Sequence, residues 1–204
     1  MNKVRVKICG LTRESDVAEA VKLGADALGF VFVPDSKRCI SLEQGSQLCG
    51  LVPAFVCRVG LFLDQPAEVV RQTLDQVPLS LLQFHGQESA DYCRQFGRPY
   101  IKSVSLQGGQ SVAELELRYP DAAGILVDSH APGGLGGTGK TVVWGQVKAG
   151  KLPLILAGGL NPQNIAEAIR QVRPWAVDVS SGVEISPGVK DAVAIKQFIS
   201  EAKQ

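Results

Sequence analysis

A cysteine and an aspartate, each closing an apolar run, are the residues of this chain best placed to move protons. Cys9 ends Val4-Arg5-Val6-Lys7-Ile8-Cys9 and feeds the turn of KICGLT, and Asp128 ends the apolar run of GILVDS, residues 124–129. A thiol at a strand-to-loop junction needs only modest tuning from a reference pKa of about 8.5 to serve as a base near neutral pH. Its competing reading is a small buried hydrophobe, and position alone leaves both open for Cys9. Cys39, Cys49, Cys57 and Cys93 are assigned to packing. Asp128 is equally two-sided: most loop aspartates cap turns, whereas a carboxyl at a partly desolvated site can act as a general acid.

Several other residues stand at the ends of apolar runs. Arg38, in SKRCIS, is either a solvated charge or a clamp for a substrate carboxylate. His85, in LQFHGQE, is a structural histidine or a ligand contact, and His130 is left unassigned. Asp178 lies two residues before Ser180, on the same face of its strand; if that face points inward it is a second carboxylate near the site. Gly158-Gly159 in LAGGL and Ser181-Gly182 in DVSSG are where backbone N–H groups can approach an anion closely, which points to a phosphorylated substrate. Ordinary tight turns are the alternative.

The loop GGLGGTGKT, residues 133–141, matches both G-x-x-x-x-G-K-T and G-x-G-x-x-G. A nucleotide-binding loop should follow its strand almost directly, yet Ser129 to Gly133 intervene and only two further strand candidates remain. It reads better as a mobile cover. Trp144 and Trp175 read as packing residues away from the site. No His, Cys or Asp cluster has metal-ligand spacing, so no metal is expected.

Residues of these types act together only if the fold gathers the ends of their runs. Apolar, β-branched runs alternate with helical patterns along the whole chain, predicting strands over Val4–Cys9, Ala27–Val33, Phe55–Phe62, Leu79–Phe84, Tyr100–Val104, Gly124–Asp128, Leu154–Ala157 and Ala176–Ser180. Between them, Ser15–Leu23 presents Val17 and Val21 to the sheet and stops at Gly24. Asn161–Val172 has Asn161 as its cap, Pro162 in the first turn and Pro174 beyond its end. Gly45 weakens the second helix. Strands apolar on both faces and separated by helices imply a parallel sheet covered on both sides. Eight such units predict a single-domain (β/α)8 barrel over residues 1–204, near the lower size limit, with ligands at the C-terminal strand ends and phosphate after strands seven and eight. An open doubly wound sheet would normally carry its dominant Gly-rich loop after the first strand, and here those loops come late.

Composition narrows the partners. The 204 residues carry 21 Lys plus Arg against 20 Asp plus Glu, a net charge of +1, so no global field recruits nucleic acid or anionic membrane. An odd count of five cysteines without C-x-x-C fits a reduced, cytoplasmic protein. The longest apolar stretch, Leu51 to Leu63, is broken by Pro53 and Arg58, so no signal peptide or membrane span is expected. A small-molecule ligand remains.

Taken in order, KICGLT, SKRCIS, LQFHGQE, GILVDS, GGTGKT, LAGGLNP, DVSSGVE and SPGVKD resemble the phosphoribosylanthranilate isomerase family of tryptophan biosynthesis across nearly the whole chain. The resemblance implies an Amadori rearrangement of N-(5-phosphoribosyl)anthranilate to 1-(2-carboxyphenylamino)-1-deoxyribulose 5-phosphate without a cofactor. It implies Asp128 as the acid that opens the ribose ring and Cys9 as the base that takes the C2 proton. Arg38 then matches the anthranilate-binding arginine, and the Gly158-Gly159 and Ser181-Gly182 loops match the phosphate grip; His85 and Asp178 are taken, from position and not from the resemblance, as further substrate contacts. Thr141-Val142-Val143-Trp144 and Cys39 depart from the family's usual residues without touching acid or base. A histidine-pathway sugar isomerase would use paired aspartates at the ends of strands one and five, which Cys9 and IKSVS do not supply. A non-catalytic sensor of phosphorylated sugars is the reading from another class. The assembly is expected to be a monomer or a homodimer.

Overall fold

The computed structural model describes residues 3–106, 111–128 and 144–204. Its strands are β1 (Arg5–Cys9), β2 (Ala27–Val31), β3 (Cys57–Phe62), β4 (Leu81–Phe84), β5 (Tyr100–Val104), β6 (Gly124–Val127), β7 (Leu154–Leu156) and β8 (Ala176–Val179). They are parallel neighbours in sequence order, and β8 pairs back onto β1, closing the barrel. The predicted strands are therefore present, shorter by one to two residues at several ends, where the residues beyond leave the ladder for the loops at either end of the barrel.

The two apolar faces of each strand serve two cores. Ile101, Leu126, Ile155, Ala157 and Ala176 fill the barrel interior, with Leu81 packed against them. Their sequence neighbours, such as Tyr100, Ile125, Leu154 and Val177, join the larger layer between barrel and helices. That layer contains an aromatic cluster in which the Phe84 ring lies 5.8 Å from Tyr92, 5.8 Å from Phe96 and 6.0 Å from Tyr100.

The helices that supply the outer layer are α1 (Glu14–Lys22), α2 (Leu42–Gly50), α3 (Ala67–Gln76), α4 (Ala90–Arg94), α5 (Val112–Arg118), α6 (Ile165–Val172) and α7 (Ala192–Ala202). Side chains that the sequence places just before them cap their open N–H groups: Ser41 accepts from Gln44, Ser89 from Tyr92, and Asp191 from Val193 and Ala194. Ser111 and Glu114 form a reciprocal capping box. As expected, α1 stops before a left-handed Gly24, with φ 89°.

Three local expectations are corrected. The helix predicted from Asn161 starts at Ile165, because the Asn161 carboxamide oxygen accepts from Gln163 N at 2.9 Å and Asn164 N at 3.1 Å, building a turn in place of a helical one. Gly45 does not break α2; a Cβ there would come within 3.0 Å of the Phe32 ring, so the glycine lets the helix approach the barrel closely. Among the cysteines assigned to packing, Cys49 and Cys93 are buried, with thiols pushed up to about 12 by that burial, whereas Cys39 is exposed on the loop after β2 and Cys57 is half-buried.

The aromatic cluster supports β4 and β5 from outside. Truncating its central ring in Phe84→Ala is expected to cost about 3–5 kcal/mol, the usual range for a fully buried phenylalanine. Urea unfolding would register this as a lower midpoint at unchanged slope.

Candidate active site

At the C-terminal ends of the strands lies a cavity lined by Cys9, Arg38, Gln83, His85, Asp128, Asp178 and Ser180 with apolar walls from Val31, Val33, Leu61 and Leu63. A second concavity shares Arg38, Asp128, Asp178 and Ser180 with it and adds Gly158, Gly159, Ser181 and Gly182. Every site residue named from sequence thus lines one continuous depression. His130 and the 133–141 loop lie outside the described residues.

Cys9 occupies the end of β1 because the β1–β2 register puts it opposite Gly29, where a Cβ would stand 2.7 Å from the thiol sulfur. The missing side chain on β2 is the space the thiol uses. Two residues earlier on the same inward face, Lys7 is buried and its Nζ donates to Asp178 Oδ1 at 2.8 Å. Asp178 therefore does face inward, and it neutralises a lysine beneath the Cys9 thiol. Burial pushes the Cys9 thiol above its ordinary 9.0, opposed by Lys7 and Lys190 and reinforced by Asp178. For Lys7, burial acts to lower its pKa, yet the neighbouring Asp178 and Cys9 hold it above its ordinary value, so it stays charged.

Asp128 follows β6, anchored by its N–H donating to Val104 O at 2.9 Å. Its Oδ2 lies 3.6 Å from Nε2 of His85, whose Nδ1 is 3.2 Å from Gln83 Nε2 and whose Nε2 is 3.4 Å from Ser103 Oγ. Burial lowers the His85 pKa, opposed by Asp128. His85 is therefore a neutral imidazole at pH 7, a polar neighbour of the carboxyl and not its counter-ion. Behind it, buried Lys102 donates to the carbonyls of Phe84 at 3.2 Å and Gly86 at 2.7 Å, pinning the backbone on either side of His85.

Arg38 corrects a simpler expectation. One fork of its guanidinium is already occupied, with Nε donating to Glu184 Oε1 at 2.8 Å and Nη2 to Oε2 at 2.6 Å. The stem crosses Gly10, where a Cβ would meet Arg38 Cδ at 2.5 Å. A ligand carboxylate would be met by the remaining edge, Nη1 and the second hydrogen of Nη2.

The loops after β7 and β8 touch each other. A Cβ on Gly182 would fall 1.9 Å from the carbonyl oxygen of Leu160, a contact no other residue type permits. Gly158 and Gly159 have φ of 84° and 65°, and Asn164 Nδ2 donates to Gly159 O at 2.9 Å, holding the loop. Successive backbone N–H groups in such a conformation form an anion-binding concavity.

Lys7, Gln83, Ser103, Glu184 and Lys190 belong to the site and were not singled out in the sequence. Lys7 was legible in principle, since it shares the face of Cys9 in a strand of period two. Glu184 and Lys190 stand inside DVSSGVE and SPGVKD, but nothing local says that they face Arg38. Trp175 lies at the opposite end of the barrel, where Arg5 stacks 4.2 Å from its ring, and Trp144 packs against the outer core. Among the described residues no group of three or more His, Cys, Asp or Glu side chains could hold a metal ion.

Known proteins resemble this chain along nearly its whole length. The family model described as N-(5'-phosphoribosyl)anthranilate (PRA) isomerase matches residues 6–201. A protein of that name from Pseudomonas fluorescens (strain Pf0-1) is 47% identical over 204 residues, covering 100% of both chains. The phosphoribosyl anthranilate isomerase structure from Thermotoga maritima has 41% identity and a TM-score of 0.85 over 98% of each chain. Another such structure, in complex with reduced 1-(o-carboxyphenylamino)-1-deoxyribulose 5-phosphate, has 40% identity and a TM-score of 0.82, again over 98% of each. The cleft of strand-end residues and a likeness that runs through the whole chain lead to one conclusion: this chain belongs to the N-(5'-phosphoribosyl)anthranilate isomerase family.

Proposed function

We propose that Cys9 and Asp128 are the base and acid with which this single (β/α)8 domain isomerises N-(5'-phosphoribosyl)anthranilate to 1-(2-carboxyphenylamino)-1-deoxyribulose 5-phosphate, a step of tryptophan biosynthesis. The observation that carries the reading is the shared cavity, in which a thiol at the end of β1 and a carboxyl after β6 stand beside an arginine and a glycine-built anion concavity. Each part answers one group of the substrate. The concavity of Gly158, Gly159, Ser181 and Gly182 takes the phosphate, and the free edge of Arg38 takes the ring carboxylate. Asp128 gives its proton to the ribose ring oxygen, opening the ring to an iminium. The Cys9 thiolate then removes the proton from C2, which collapses the iminium to an enolamine, and tautomerisation gives the ketone. His85 and Asp178 border the substrate, Asp178 while balancing Lys7.

We infer no cofactor for these steps, because ring opening and C2 deprotonation are each assigned to a side chain and the tautomerisation only exchanges protons. The partner is a small phosphorylated molecule; nucleic acid and membrane are not part of the reading. No helix among the described residues is long and apolar enough to cross a membrane, and a cytoplasmic location is inferred from the reaction and the free cysteines. The assembly is read as a monomer or a homodimer, and a relative from Thermotoga maritima is described as dimeric.

Mixing the protein with freshly generated phosphoribosylanthranilate and following its fluorescence, with the product identified by mass, tests the activity. Wild type should turn over; Cys9→Ala should lose nearly all kcat, and Asp128→Asn about 10²–10⁴-fold, while both keep binding a reduced product analogue. Turnover within tenfold of wild type in Cys9→Ala would assign the base elsewhere.

The pH profile carries a sign. A base works deprotonated, and burial holds the Cys9 thiol above 9.0, so kcat/KM should fall as pH drops and still be climbing at pH 9. A plateau reached by pH 7.5 would mean that another group is the base.

Gly182→Ala forces the new methyl onto Leu160 O and separates the two loops. Inorganic phosphate should compete with substrate in the wild type and lose that competition in Gly182→Ala, with KM raised at least tenfold. Equal competition in both proteins would remove the phosphate from this position.

A further inference from the structure

Beyond β8 the chain makes a short excursion, β9 (Glu184–Ser186) and β10 (Val189–Lys190), before α7. We propose that Glu184 and Lys190 of this hairpin are positioning residues that lock the carboxylate clamp Arg38 to the strand end bearing Cys9 and set the charge beside that thiol. The inference rests on the roles given above to Arg38 and Cys9.

Lys190 is buried, and its Nζ reaches three elements: Cys9 O at 2.5 Å, Ser180 O at 3.2 Å and Glu184 Oε1 at 2.7 Å. It thereby ties together the ends of β1 and β8, the strands that close the barrel. The same Oε1 accepts from Arg38 Nε, so one carboxylate sits between two cations. The hairpin is fixed independently by Thr12 Oγ1 donating to Gly188 O at 2.6 Å and by Lys190 N donating to Asp16 Oδ2 at 3.1 Å. A lysine solvating two carbonyls at strand ends and a glutamate filling one arginine fork exceed what a hairpin needs to cover a barrel rim.

The consequence is electrostatic. Arg38 and Lys190 against Glu184 leave one net positive charge, which the substrate's ring carboxylate neutralises on binding. With Glu184 holding the Nε edge, Arg38 presents only its remaining edge, fixing where that carboxylate lies. The other charged or titratable groups facing Cys9 are Lys7 and Asp178, already paired, with His85 and Asp128 across the cavity. Burial lowers the Lys190 pKa, opposed first by Glu184.

The test reads Cys9 directly. Alkylation by iodoacetamide, followed at the Cys9 peptide by mass spectrometry from pH 6 to about 11, gives the thiol's titration midpoint without substrate. Glu184→Gln leaves two uncompensated cations and should lower the midpoint by about one pH unit; Lys190→Met removes one and should raise it by a similar amount. The double variant, with the wild-type net charge, should return near the wild-type midpoint. With substrate, Glu184→Gln should raise KM roughly tenfold with a smaller change in kcat, because the clamp loses its anchor.

Midpoints that stay put, or that move the same way in both single variants, would overturn the proposal and leave the hairpin as a cover. If Lys190→Met does not fold, Lys190→Arg, which keeps the charge, should hold the wild-type midpoint, and Glu184→Gln decides the case. Absence of turnover in the wild type would strike the proposed activity alone, since the alkylation series needs no substrate.

Discussion

Closure of the barrel between β1 and β8 is the constraint on which the site depends. Residues near the two ends of the chain become neighbours there, with Lys7 opposite Asp178 in the register and their side chains joined at 2.8 Å. Without that seam, Cys9 at position 9 has no relation to Ser180 or to the glycines that follow it. The seam explains why a lysine is admitted to the interior at all. An isolated buried ammonium is costly by several kcal/mol, and a carboxylate at hydrogen-bond distance offsets much of that cost.

The same solution recurs at two other levels of the molecule. Lys102 points from β5 into the outer layer, where three backbone carbonyls accept from it and Glu88 lies 3.3 Å away. Lys190 repeats the pattern at the rim with Glu184. Each lysine stands where loops leave the barrel and carbonyls would otherwise lack donors, and each fixes the backbone beside a site residue: His85 for Lys102, Cys9 for Lys190. Buried charge here positions strand ends, and these pairs are poor candidates for net stabilisation when weighed against apolar packing. Stability rests instead on the two apolar cores and on the aromatic cluster around Phe84.

These pairs also order the electrostatics of the mouth. The thiol is raised by burial, with cations opposing, so it is reactive only in its minor, deprotonated fraction near neutral pH. The imidazole of His85 is held neutral beside Asp128. The charges at the mouth are local, Arg38 and Lys190 against Glu184 and Lys7 against Asp178, beside a glycine-built concavity, in a chain whose net charge is only +1.

Much of this was written locally in the sequence. Apolar runs such as GILV and AVDV determined the strands, Gly24 determined the end of α1, and the order of strand-end motifs determined the family. Sequence alone also named Cys9, Asp128 and the glycine loops, because each sits where an apolar run stops, and Arg38, in the loop that follows the second run. Tertiary structure decided what these residues touch. That Gly29 makes room for the thiol, that Glu184 occupies one fork of Arg38 and that Lys190 reaches the Cys9 carbonyl depend on register and on pairing across the whole length of the chain. Even the start of α6 was decided by a side-chain turn at Asn161 competing with the helix. Local pattern fixes which way a side chain faces, since that follows from backbone period; its partner follows from barrel closure, which brings together residues more than 170 positions apart.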